Sequence, residues 1–176
     1  MKVDTVRFGT IEIDDSSIIR MPRGPLGFEE QRDYCLIQHR PDTSFRWLQS
    51  IDEPCLAFVV VDPVEFFPDY EIELSDADAE RLHLQSADDA LVLVIATVRD
   101  GGKEVTADLA GPIVINSKEL IGMQVVLQDN RYTVRHSLME QVSKVCAHDT
   151  SEGEAVEILM NVKNLADVLV QARRRR

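Results

Sequence analysis

Cys55–Tyr70 reads CLAFVVVDPVEFFPDY, and the way it divides decides the fold. Leu56–Val61 is an apolar, largely β-branched run stopped by Asp62-Pro63, the pattern of a strand buried on both faces. Phe66, Phe67 and Tyr70 then follow in a segment bracketed by Pro63 and Pro68 and interspersed with Glu65, Asp69 and Glu71. Aromatic rings therefore occur where the backbone signals specify a loop. A core strand feeds directly into a rigid, acidic, aromatic loop.

Working outward, a second continuous apolar run, Ala90–Val98 (ALVLVIATV), ends at the turn signal Asp100-Gly101-Gly102. Two such strands require sheet on either side. Short strand-like pieces supply it at Phe8–Ile13 and Ile18–Met21, expected to form a hairpin about the Asp14–Ser17 turn cluster. Others are Tyr34–His39, Phe45–Ser50, Val105–Leu109, Ile113–Asn116, Met123–Leu127 and Tyr132–His136. The stretch MPRGPLGFEEQRDY crowds prolines and glycines, so it is expected as a structured loop. Ser75 is an N-cap candidate for one short helix reaching to near Leu84, with Asp76, Asp78 and Glu80 at the positive end of its dipole. Strands at about ten-residue spacing with a single helix among them argue for an antiparallel barrel or sandwich over βαβ units.

From Ser137 the period changes to that of a helix. Leu138, Val142 and Val145 fit it, and after the polar linker CAHDTSEGE the residues Ala155, Ile158, Val162, Leu165, Leu169 and Ala172 recur at spacings of three and four. Such a stripe is compatible with packing on the chain's own barrel, on a partner or on a second copy through self-association. Arg173–Arg176 suit a helix C-terminus electrostatically. The expected organisation is a mainly β, small antiparallel β-barrel-like domain over residues 1–138, with one short internal helix, and an amphipathic helical C-terminal extension over 139–176.

The net charge of -12 is unevenly spread. Between Asp52 and Asp89 there are twelve acids and a single base, Arg81, whereas the rest of the chain is nearly balanced. Direct nucleic-acid binding is disfavoured, because phosphate binding needs a basic footprint. A basic protein partner is favoured, since a field of one sign steers the opposite one; a solvated face that aids solubility is the plainer reading. Cys35, Cys55 and Cys146 are odd in number and lack metal-ligand spacing, so reduced, mostly buried thiols are expected. No apolar run approaches a bilayer span and the start of the chain has no signal-like apolar core, which leaves a soluble cytoplasmic protein without membrane attachment as the expectation.

Phosphate loops, dinucleotide fingerprints, nucleophile elbows and metalloprotease helices are absent from the sequence. His39, His83, His136 and His148 are scattered, so a metal or hydrolase site would have to be assembled in three dimensions. Neither a cofactor nor a catalytic residue is expected. A ligand site or hydrolase centre in the barrel mouth is the alternative that the fold class keeps open.

Six stretches, in order, resemble the FliW family of bacterial flagellar assembly factors: LGFE at Leu26–Glu29, FRWLQS at Phe45–Ser50, VVDPVEFFPDY at Val60–Tyr70, DLAGPIVIN at Asp108–Asn116, GMQVVL at Gly122–Leu127 and YTVRHSL at Tyr132–Leu138. The family more often has Asn where Asp108 stands, and the tail after Leu138 extends past the usual end of the domain. The resemblance implies a barrel-like β fold without enzymatic activity. It also implies two protein partners: flagellin, and the RNA-binding translational repressor CsrA, which is antagonised when flagellin is exported and the factor is freed. Combined with the charge map, it makes Glu65, Phe66, Phe67, Asp69, Tyr70 and Glu71 the expected partner-binding residues, the aromatics as anchors and the carboxylates for orientation and on-rate. Phe66 and Phe67 could equally turn inward and cap the barrel.

Overall fold

A computed structural model describes residues 1–38, 43–100 and 103–141. The N-terminal hairpin pairs β1 (Lys2–Thr5) with β2 (Gly9–Glu12), Val3 opposite Ile11. Asp14 then caps a single turn of 3-10 helix, its carboxylate accepting from Ser16 N–H at 2.9 Å, and β3 (Ile19–Arg20) leaves to pair with β4 (Asp33–Ile37). The expected pairing of Phe8–Ile13 with Ile18–Met21 is thus replaced by two separate pairings. KVDT has a single apolar residue and does not announce a strand, yet that residue, Val3, is buried.

Among the described residues the main sheet has nine strands, paired antiparallel. Its central path runs from β10 (Gly122–Gln124) through β9 (Ile113–Asn116), β7 (Ala90–Arg99), β6 (Ala57–Val61) and β5 (Arg46–Ser50) to β4 and β3. Arg20 N–H donates to Leu120 O at 2.8 Å, and a lone parallel bridge of Arg20 with Ile121 brings the two ends of the path together. The sheet is accordingly curled and barrel-like, as the strand spacing and paired apolar runs predict.

The ten-residue β7 is the axis of this arrangement. Its first half pairs with β9 and its second with β8 (Glu104–Ala107), on the same edge. Ala107 faces Ala96 and Ile113 faces Leu93, so Asp108–Pro112 forms a wide bulge that turns the corner between β8 and β9. Asp108 Oδ1 holds this corner by accepting from the N–H groups of Ala110 (3.1 Å) and Gly111 (2.9 Å), while Gln124 Nε2 donates to Gly111 O at 2.9 Å. Beyond β10, Val125 and Leu127 N–H donate to Pro112 and Ala110 carbonyls, so the expected strand Met123–Leu127 pairs partly with the bulge. The expected strand at Tyr132–His136 shrinks to β11 (His136–Ser137), because Thr133 and Tyr132 turn to bond other loops.

Both faces of the sheet are covered, which is why Val59, Val60 and Val61 are all buried. Ile19, Met21, Tyr34, Leu48, Val60, Leu93, Ile113 and Ile115 fill one side. Phe45, Trp47, Val59, Val61, Phe66, Tyr70, Val94 and Leu138 fill the other. The strand starts at Ala57 and leaves Cys55 exposed, contrary to the expectation of buried thiols, whereas Cys35 is buried. Helix α1 (Asp76–Arg81) forms where Ser75 predicts it, with Ser75 Oγ accepting from Asp78 N–H at 3.1 Å. Leu82 behind it seals a small cluster with Val114 and Val125. The backbone turns helical again at 138–141, where Ser137 Oγ accepts from Glu140 N–H at 3.2 Å. The stripe 155–172, its linker, Cys146, His39, His148 and Gly101-Gly102 lie outside the described residues.

Candidate functional site

The acidic aromatic loop begins where β6 ends. Asp62 Oδ1 accepts from Val64 N–H at 3.0 Å and Pro63 opens a turn of 3-10 helix, with Phe66 and Phe67 N–H both donating to Pro63 O (3.1 and 2.8 Å). Tyr70 N–H then donates to Phe67 O at 2.9 Å. Two successive tight turns send Pro63, Phe66 and Tyr70 inward and leave Val64, Glu65, Pro68, Asp69 and Glu71 outside.

The six expected binding residues therefore divide by chemistry. Phe66 is 3% exposed, its ring centroid 5.7 Å from that of Phe45. Tyr70 is 7% exposed and donates its hydroxyl to Leu109 O at 2.8 Å, inside the bulge. Burial raises the Tyr70 phenol well above its usual range, so it remains a proton donor. Phe67 is half-buried, edge-on to His136 at 5.8 Å. Glu65, Asp69 and Glu71 are exposed. The rings hold the loop and the carboxylates are displayed.

Residues outside the six expected ones complete the support. Tyr132 packs on Tyr70 with centroids 4.7 Å apart, and its hydroxyl accepts from Glu71 N–H at 3.0 Å. Arg131 lies over the Tyr132 ring at 5.3 Å while bonded to Asp129. His136 Nε2 accepts from Thr133 N–H at 2.9 Å, and burial lowers the imidazole pKa, so the neutral ring is the favoured form. Asp108, also half-buried, has its carboxyl pKa raised by burial, against the lowering effect of the Gly111 and Ala110 N–H groups. The spacing Pro63, Phe66, Phe67, Tyr70 is the signal of inward turns; the partners at 109 and 132 are set by topology and are invisible in the local sequence.

The excess negative charge is likewise divided. Asp89 is buried in an ion pair with Lys118 Nζ at 2.6 Å, which holds its carboxyl below the usual range. Asp52 accepts from Arg32 and Asp33 N–H, and Asp62 caps its turn. Glu65, Asp69, Glu71, Glu73, Asp76 and Glu80 are exposed along the loop and α1. Among the described residues no three His, Cys, Asp or Glu side chains converge as a metal site would require. No helix among them is long and apolar enough to cross a membrane.

Such a curled antiparallel sheet, with few helices and a braced loop that displays carboxylates, defines a mainly β, half-barrel protein. The family model described as FliW protein matches residues 2–138. The flagellar assembly factor FliW of Syntrophus aciditrophicus is 42% identical over 140 residues, covering 80% of this chain and 89% of that protein. That of Geobacter sulfurreducens is 38% identical over 144 residues, covering 82% and 90%. A crystal structure of the flagellar assembly factor FliW superposes with a TM-score of 0.73 at 39% identity, covering 78% of this chain and 96% of the other. The chain belongs to the FliW family.

Proposed function

We propose that this chain is a non-enzymatic, cytoplasmic regulator of flagellum assembly that binds flagellin and, when flagellin is exported, binds and antagonises a CsrA-type translational repressor, relieving repression of flagellin synthesis. Its relatives carry the name of flagellar assembly factors, and the resemblance of its motifs supplies the two partners. The observation that carries the reading is the display of Glu65, Asp69 and Glu71 on a loop locked from beneath by Phe66 and Tyr70. An RNA-binding repressor must carry basic surface, and a preformed set of carboxylates meets it without paying to order the loop. Val64, 52% exposed, and the open edge of Phe67 supply the apolar contact within this acidic surround. The same charge argues against direct RNA binding by this chain.

Co-purification with CsrA at low and high salt tests the proposal. Binding is expected at low salt, weakened at high salt, and reduced by about tenfold or more when Glu65, Asp69 and Glu71 are changed together to Lys. Absence of binding at either salt rejects the CsrA assignment; salt-insensitive binding rejects the role given to the carboxylates.

A further inference from the structure

Away from the acidic loop, the Pro22–Leu26 loop, the end of α1 and the edge of β10 enclose a groove of about 510 Å³. β10 ends the sheet path, and its inner side is bonded. Ile121 O accepts from Asn116 N–H, while Val125 and Leu127 N–H donate to Pro112 and Ala110 carbonyls, each at 2.8 Å. Successive residues of an extended strand turn their backbone groups to opposite sides, so Gln124 and Val126 direct theirs outward. The Arg20–Ile121 bridge covers the start of this edge. Beyond it, the backbone of Gln124 and Val126 is paired with no strand among the described residues.

The walls of the groove are apolar, formed by Leu26, Leu82, Met123 and Val126, and Leu26 and Val126 are each 56% exposed. They are also fixed in place. Gln124 Oε1 accepts from Leu26 N–H at 2.8 Å while its Nε2 donates to Gly111 O at 2.9 Å, which ties the loop to β10 and β10 to the bulge. Arg23 and Arg81 complete the lining. Each makes one surface ion pair, with Glu29 at 3.5 Å and with Asp78 at 3.1 Å, and their side chains are 74% and 68% exposed. A guanidinium has five donors, so both keep donors for a further acceptor.

We propose that this groove docks an extended segment of a partner protein, one carrying apolar side chains and carboxylates, which adds a strand to β10 at Gln124–Val126. An open edge pairs with an extended chain, whereas a helix has already satisfied its own backbone and would leave the edge unmet. Main-chain bonds to Gln124 and Val126 set the register, and apolar side chains of the segment cover Leu26 and Val126. Its carboxylates meet Arg23 and Arg81, which in a chain of net charge -12 mark this groove for a ligand of negative charge. The walls are in place before the segment arrives, so docking orders the segment alone. Its charge is opposite to that of the basic partner proposed for the acidic loop. The two surfaces therefore select different ligands, and the groove does not depend on the reading of the loop.

Amide NMR of the full chain tests the site with a synthetic probe, a peptide of about eight residues alternating valine and glutamate. Amide shifts are expected at 22–26 and 121–126 and not at 64–71. Affinity is expected to fall by about tenfold or more when lysine replaces glutamate in the peptide, and again when Arg23→Gln and Arg81→Gln are combined in the protein. Because both arginine side chains are mostly exposed, that variant is expected to keep the parental Tm. A peptide N-methylated at alternate residues, which cannot complete a ladder, is expected to lose binding altogether. Absence of shifts at the groove up to about 1 mM peptide, or shifts confined to 64–71, overturns the site. Equal binding of the lysine peptide overturns the charge selection, and undiminished binding of the N-methylated peptide overturns the added strand. A dimer mass in light scattering without peptide, lost in Val126→Glu, makes a second copy the occupant and overturns the partner segment.

Discussion

Asp108 shows how one side chain sets a corner of this fold and what it costs. Its Oδ1 accepts two backbone N–H groups of the bulge, a task an amide oxygen performs as well, while burial disfavours its charge. A carboxyl whose pKa is raised on folding is bound to its proton more tightly in the folded state. Its cost is therefore present above the raised value and relieved as pH falls through it toward the ordinary 3.8. Asp108→Asn is expected to raise Tm at pH 8, with the gain shrinking on acidification; a gain that grows on acidification would contradict this. His136 works in the opposite sense, its lowered pKa making its contribution full above the ordinary 6.5 and diminishing below that pH. Tyr70→Phe leaves the buried Leu109 carbonyl without its donor, so a loss of about 1–3 kcal/mol is expected in denaturant unfolding, with faster exchange at 66–71.

Among the elements, those governed by local chemistry were legible and those governed by distant partners were not. Ser75 followed by Asp76 and Asp78 announces α1, and Ser75→Ala is expected to cost about 1 kcal/mol by thermal denaturation. The runs at Leu56–Val61 and Ala90–Val98 announce central strands, because double-faced burial leaves no room for polar alternation. β1 escaped notice because a four-residue strand with a single apolar side chain carries too little periodicity, and β11 is only the end of the strand expected at Tyr132–His136. The loop holding the six expected binding residues was legible as a unit; its division into inward rings and exposed carboxylates was not, since Tyr70 is turned by a carbonyl thirty-nine residues away. The loop MPRGPLGFEE was readable as irregular, and Gly24 shows why it is also tight. A Cβ there would fall on the carbonyl oxygens of Phe28 and Gln31, so Gly24→Ala is expected to destabilise by more than about 2 kcal/mol in urea titration and to widen the groove beside it.

For the molecule as a whole, charge and topology act together. The segment Asp52–Asp89 concentrates twelve acids, several of them exposed side by side on the loop and α1, and repulsion among them opposes compactness. Raising NaCl from about 0.01 M to 0.5 M shortens the Debye length from roughly 30 Å to below 8 Å and is expected to raise Tm. The increment is expected to shrink in the triple Lys variant at Glu65, Asp69 and Glu71. An unchanged increment would place the repulsion elsewhere. The bridge between Arg20 and Ile121, which closes the sheet, has a further consequence for the timing of synthesis. At about 5–20 residues per second, roughly 5–20 s separate the appearance of β3 from that of the segment that covers its edge. During that interval the nascent chain exposes an unpaired strand beside an apolar interior, so the N-terminal half waits, open, for the last strands to leave the ribosome.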